Sequence, residues 1–420
     1  MEAKTNRLLA LEGLRGVAAV IVVIFHALLI FFPSFYYGPA FNVEGLHTFS
    51  FEDNLYGNPL NVFLSGPFAV AIFFVISGFV LTVGFFQTND QMIIKKLAMK
   101  RYIRLALPAL ASILIVACVL AIGLGTLKLD VQAITQSIWL ERIWLIVPNL
   151  GEALYQGLVG IFTVGDVSYN PVLWTMQYEF VGSFIVFIVA ILFRQSKFRW
   201  IIYLALIVGL YNTWYLGFIL GMILADLYVL GYFPFTRRKK PLMVLVLFAG
   251  LLLGSYIDGV SDGTFYSFLK VSWLGDIQSL VFYFSVGAAL VTVAVLTMPK
   301  VSKFFESKII SGLGKYTFSL YLMHMVVLFT VGAGFFLLFN SIAGYTTAAV
   351  LTIIATLPVV ALVTYLFEKY IDAPSIKLSG VFANWMLGLP QKEGDTAFSE
   401  HDERVFDKLR TFVKKYTKRK

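Results

Sequence analysis

The chain has 420 residues, of which 59% are hydrophobic and only 14% charged, and its mean hydropathy is +0.82. Soluble globular proteins of this length are not composed this way, so the fold class is an all-α polytopic membrane protein, in which backbone polar groups are satisfied within helices. The net charge is +9, yet the basic residues border apolar runs and lack the fold signatures of a nucleic-acid reader, so no nucleic-acid partner is expected.

The first apolar run, Leu8–Phe32, is long enough to cross a bilayer. Its length, Glu12, Arg15 and the lack of a small-residue cleavage site argue against a signal peptide. Arg15 and His26 lie eleven positions apart. That is about 1100° of rotation, within roughly 20° of three full turns, so the two side chains share a face about 16 Å apart along the axis. Ionisable groups inside a spanning helix are costly and usually face a cavity or a partner, which makes both functional candidates.

The second span, Val62–Phe86, contains FFVISGFVLT. There Ser77 and Gly78 either permit close helix approach or form the wall of a narrow acyl passage. The following stretch reads KKLAMKRYIRLALPAL and leads into the third span, Tyr102–Gly125. Arg101 and Arg104, three residues apart, share a helix face at the membrane surface. Such a pair clamps phosphate or carboxylate, or simply sets topology. Cys118 is the one cysteine and sits in an apolar run, where packing is its expected role. It can form no internal disulfide, and no metal cluster is expected.

The fourth span, Pro171–Phe193, opens with NPVLWTMQYEF. Counted from its outer boundary, Glu179 lies roughly 12 Å deep. His26 falls at a similar depth in the first span, so two readings stand: the carboxylate orients the imidazole, or it is a buried Glu held by other polar groups. The next spans are Trp200–Tyr211, Thr213–Tyr232, Pro241–Ile257 and Ile277–Met298. The first of these is short for a crossing, and a re-entrant segment fits it equally well. The ninth span, Tyr316–Phe339, begins within LGKYTFSLYLMHMVV. His324 lies about 12 Å from its cytosolic end, with Tyr321 one turn away and Ser319 pointing elsewhere. The tenth is Tyr345–Phe367. Asp226 and Glu368, near the cytosolic ends of the sixth and tenth spans, are expected to pair with local basic residues.

With the N-terminus in the cytosol, all of the 33 basic residues except Lys128, Arg142 and Lys270 fall on the cytosolic side. The positive-inside rule therefore places both termini there. Two outer segments are long, Pro33–Asn61 and Thr126–Asn170, and the second holds WLERIWLIV and GEALYQGLVGIF. These read as connecting loop, interfacial helices or an acceptor-side lid. The organisation expected is a transmembrane domain over residues 1–370 and a basic amphipathic tail over 371–420. In that tail Val405, Phe406, Leu409, Phe412, Val413 and Tyr416 recur at helical spacing.

There is no Gly-rich phosphate loop, no nucleophile elbow and no paired-His helix motif, which removes kinase, hydrolase and metalloprotease readings. The pieces LEGLRGVAAVIVVIFH, FFVISGFVL, KRYIRLALPAL, LWTMQYEF, LGKYTFSLYLMH and LFEKYIDAP occur in this order from Leu11 to Pro374. In that order the chain resembles the acyltransferase-3 family of integral membrane acyltransferases. The resemblance implies about ten spans and transfer of an acyl group, typically acetyl, from cytosolic acyl-CoA to a hydroxyl of a glycan, lipid or small molecule. It implies His26 as base or acyl relay, Arg15 as its companion, and Arg101 and Arg104 as ligands of CoA phosphates. Ser77 at the donor passage and Glu179 are further site candidates, with His324 and Tyr321 beside them. No tightly bound cofactor and no metal are expected, since acyl-CoA enters as a substrate. A bacterial cytoplasmic membrane is the implied location.

Two departures matter. The fourth-span motif holds one Glu followed by Phe, where many members have a Glu pair. The periplasmic hydrolase-like domain fused to some members is also missing, so transfer is completed within this chain or with a separate partner. Intramembrane His, Glu and Arg would serve a proton-coupled transporter of a glycan or lipid precursor as well. Internal repeats and paired broken helices, frequent in such carriers, are not evident.

Overall fold

Apolar stretches of this length close their own backbone hydrogen bonds as helices, because nothing else can do so in hydrocarbon. The computed structural model describes residues 2–38, 50–233, 240–257, 266–269 and 276–390, and among these there is no strand. Ten principal helices follow in chain order: α1 (Glu2–Phe31), α2 (Gly66–Thr88), α3 (Gln91–Ala121), α4 (Trp174–Phe193), α5 (Arg199–Leu210), α6 (Tyr215–Val229), α7 (Lys240–Gly254), α8 (Asp276–Thr297), α9 (Thr317–Val327) and α10 (Tyr345–Phe367). Seven described segments are long and apolar enough to cross a membrane, while α5, α6 and α7 are shorter apolar helices. The chain is an all-α integral membrane protein.

α2 is apolar all round and buried along most of its length, surrounded by α1, α4, α6 and α8. Its contact with α6 is backbone to backbone. A Cβ on Gly78 would overlap the Phe218 carbonyl, and one on Gly221 would overlap the Val75 carbonyl. Gly217 meets the Phe74 side chain one turn away. Gly217 and Gly221 form the small-xxx-small spacing that lets membrane helices approach closely. Of the two roles open to Gly78, the structure supports packing. Gly78→Val is expected to destabilise the fold by about 3 kcal/mol or more through overpacking. Thermal unfolding in detergent checks this, and an unchanged midpoint would rule out the close contact.

The α2–α3 connection is tight. Asn89 adopts a left-handed conformation (φ 57°), and the Asp90 side chain accepts from the Met92 amide at 2.8 Å, capping α3. This early cap makes Gln91–Ala121 one unbroken 31-residue helix. Arg101 and Arg104 therefore lie about 15 and 20 Å along it, with side chains only 14% and 26% exposed and each paired with a carboxylate of another helix. Cys118 departs from expectation, because it is exposed on the outside of the bundle. An apolar run facing lipid is as apolar as one facing the core, so the run alone could not distinguish the two sides.

Both carboxylates expected near the cytosolic ends pair as anticipated. Asp226 receives Arg194 at 3.1 Å and Arg199 at 2.9 Å, and Glu368 receives Lys315 at 3.2 Å. α10 does not stop at Phe367. It continues through a wide π-type turn, Glu368–Asp372, into α11 (Ala373–Met386), which lies along α3. The position proposed as a domain boundary thus falls within continuous helix. Residues 391–420, which carry the amphipathic pattern, lie outside the described residues.

Candidate functional site

α1, α2, α3, α4 and α9 converge on a cleft of about 250 Å³. Six of the eight candidate residues line it: Arg15, Ser77, Arg101, Arg104, Glu179 and Tyr321. In the sequence Arg15, Ser77, Glu179 and Tyr321 stand as polar residues within apolar runs, and Arg101 and Arg104 within a basic stretch that leads into one. Three arginines against one glutamate give the lining a positive bias, which draws anionic ligands.

The charges are held in defined pairs. Ser77 Oγ donates to Glu179 Oε1 at 2.9 Å. Glu179 Oε2 accepts from Arg101 Nη2, which also donates to the Glu179 carbonyl at 3.0 Å. Arg101 Nε is buried and has no hydrogen-bond partner among the described residues. Arg104 pairs with Asp372, and its guanidinium lies 4.9 Å from the centre of the Phe318 ring. Arg15 pairs with Glu12 at 3.1 Å, and both side chains keep about a third of their surface exposed, 33% and 38%. Salt therefore screens the Arg15 pair more than the other two.

The orienting role expected of Glu179 toward His26 needs correcting, because the carboxylate serves Ser77 and Arg101 instead. α4 begins below the outer surface. Tyr169, Val172 and Leu173 at its start are fully or nearly fully buried, and the Asn170 side chain donates to the Leu322 carbonyl at 2.9 Å. Counting depth from Pro171 as a surface residue therefore placed Glu179 too near the outer face.

His26 and His324 do not line the cleft, but they lie just beyond it. His324 Nε2 is 3.1 Å from His26 Nδ1, with the ring centres 5.0 Å apart. His26 is flanked by Phe25 (5.2 Å) and Trp139 (5.1 Å). His324 is fully buried. Tyr321 stands between the cleft and this pair, its ring 6.1 Å from that of His324. Its hydroxyl donates to the Val172 carbonyl at 2.8 Å and accepts from Thr175 Oγ1 at 3.1 Å. Ser319 does point elsewhere, reaching Asp372 at 3.5 Å.

Trp139 belongs to the short helix Ile138–Glu141 of the second outer segment. The Lys128 ammonium fixes this helix by donating to the Leu140 carbonyl at 3.1 Å and to that of Ile143. Burial lowers the Lys128 pKa. The short helix thereby sets the Trp139 ring against that of His26. Asp372 and Asn170 also carry the site; both fall inside pieces read in the sequence, LFEKYIDAP and NPVLWTMQYEF, without being singled out there. Asp372 lies past the apparent end of its span, and Asn170 reads as a loop residue before a proline.

The model of the family described as an acyltransferase domain matches residues 8–365. No curated protein and no solved structure matches the chain.

Proposed function

The chain belongs to this family of membrane acyltransferases, and on that premise we propose that it transfers an acyl group, acetyl in the expected case, from cytosolic acyl-CoA to an acceptor hydroxyl. The observation that carries the reading is the arginine-lined cleft ending at Tyr321, directly before the His26–His324 pair. CoA phosphates dock against Arg15, Arg101 and Arg104, charge-assisted contacts that suit guanidinium groups. Glu179 holds Arg101 toward the cleft, with Ser77 fixing the carboxylate. The pantetheine arm runs toward His26, about 16 Å along α1 from Arg15.

His26 removes the proton from the acceptor hydroxyl as its oxygen attacks the thioester carbonyl carbon. The carbon–sulfur bond breaks, and the departing thiolate recovers that proton as free CoA. In the relay version His26 attacks the thioester carbonyl carbon, the carbon–sulfur bond breaks and the thiolate leaves as CoA with the imidazole proton; the acceptor oxygen then attacks the acyl carbon, the carbon–nitrogen bond breaks, and the hydroxyl proton returns to the ring. Trp139 closes the outer side, where a glycan, lipid or small molecule supplies the hydroxyl. The proposed location is a bacterial cytoplasmic membrane.

The test uses purified protein in nanodiscs with acetyl-CoA, following CoA binding and free-thiol release. Binding with slow thiol release is expected even without an acceptor. Failure to bind acetyl-CoA or a longer acyl-CoA would overturn the donor assignment and favour a carrier. Arg15 gives the cleanest probe of the phosphate site. Its removal leaves only the partly exposed Glu12 unpaired, so stability should change by less than about 1 kcal/mol. Arg15→Gln is expected to weaken acyl-CoA binding roughly tenfold, the equivalent of one charge-assisted hydrogen bond. Isothermal titration at two salt concentrations checks this, and unchanged affinity would remove Arg15 from the donor site.

A further inference from the structure

Two neutral imidazoles meeting nitrogen to nitrogen must have complementary hydrogens, one ring donating and the other accepting. The backbone decides which is which here. His324 Nδ1 lies 3.0 Å from the Leu320 carbonyl, and a carbonyl oxygen can only accept. The hydrogen of neutral His324 is therefore on Nδ1, and its Nε2 presents a lone pair. That lone pair lies 3.1 Å from His26 Nδ1, which is also 2.9 Å from the Val22 carbonyl. Both neighbours of His26 Nδ1 are acceptors, so this nitrogen carries the hydrogen and shares it between them. The opposite tautomer would set the Nδ1 lone pair against two others at hydrogen-bond distance. In neutral His26 the basic nitrogen is then Nε2.

We propose that His324 is a positioning residue that holds His26 in the Nδ1–H form and keeps Nε2 free to take the acceptor proton. The proposal rests on the acyl-transfer reading for its functional consequence. Its structural content stands on the two-ring geometry. The Val22 carbonyl alone is a weak restraint, because it already accepts the α1 backbone hydrogen bond from the amide four residues on. His324 comes from α9, 298 positions away in the chain, and adds an acceptor that also fixes the ring plane. When Nε2 takes the acceptor proton, His26 becomes cationic, and its Nδ1–H···Nε2 contact to His324 becomes charge-assisted and stronger. The contact therefore strengthens as the reaction proceeds, a property that purely structural packing lacks.

The chain has four histidines, so histidine-selective ¹⁵N labelling gives a readable spectrum, with His26 assigned by its loss in His26→Gln. Wild type is expected to show a neutral His26 protonated at Nδ1 and a coupling across the hydrogen bond between His26 Nδ1 and His324 Nε2. In His324→Leu the two tautomers should mix. Its kcat for thiol release should fall about tenfold or more, with the KM for acyl-CoA within about twofold of wild type. Glutamine can present an amide oxygen near the former Nε2, so His324→Gln should restore both the tautomer and most of kcat.

A wild-type His26 protonated at Nε2, or no coupling between the rings, would overturn the proposal. A folded His324→Leu with wild-type kcat and tautomer would do the same. Should His324→Leu fail to fold, the wild-type coupling decides. Wild type lacking acyl-CoA turnover would defeat the functional reading, while the spectrum would still decide whether His324 orients His26.

Discussion

His26→Ala is expected to lower acyl transfer from acyl-CoA by at least about a hundredfold, the usual loss when a general base is removed. Acyl-CoA binding and the folded state should survive. His26 lies beyond the Tyr321 wall and outside the cleft lining, so its removal leaves the arginines and their carboxylate partners in place. The vacated space is bordered by Phe25, Trp139 and His324, and a cavity there lowers stability without orphaning a charge. His324 loses a hydrogen-bond donor but keeps its own bond to Leu320. Direct and relay transfer both need the imidazole, so the same loss is expected from either. Acid-quenched wild type incubated with labelled acyl-CoA separates them, since only the relay leaves label on His26. Near-normal transfer by folded His26→Ala, measured with binding in the same preparation, would remove His26 from the chemistry.

Features local to one helix were legible in the sequence. The apolar runs located the principal helices, and the eleven-residue interval put Arg15 and His26 on one unbroken helix. Charges at span ends found their partners where expected, as Asp226 and Glu368 show, because topology had already brought neighbouring basic residues to the same end of the bundle. Relations between helices were not legible. Nothing in LGKYTFSLYLMH says that His324 faces α1 rather than lipid, since both environments are apolar. The pairing of Glu179 with Arg101 was hidden because depth was counted from an assumed membrane boundary, whereas α4 starts beneath the outer segment. Asp372 joined Arg104 only because the π-type turn after α10 carries the helix onward along α3.

The Arg101–Glu179 pair separates folding from function. Both side chains are only 14% exposed, so neither charge has water as an adequate substitute for its partner. Glu179→Ala leaves the Arg101 guanidinium buried and unpaired, and the expected loss of stability is about 3–5 kcal/mol, as for breaking a buried ion pair from one side. Ser77 would lose its acceptor as well. If the pair serves only to hold the fold, the double variant Arg101→Met, Glu179→Leu should recover both stability and activity, because apolar replacement of a buried pair is often neutral or better. If Arg101 binds the donor, the double variant should recover the unfolding midpoint yet bind acyl-CoA at least roughly tenfold more weakly, having lost a charge-assisted contact. The second outcome is expected, since Arg101 lines the cleft and Glu179 uses only one of its three nitrogens. Recovery of wild-type affinity alongside stability would reduce the pair to a structural brace and shift the donor phosphates to Arg15 and Arg104.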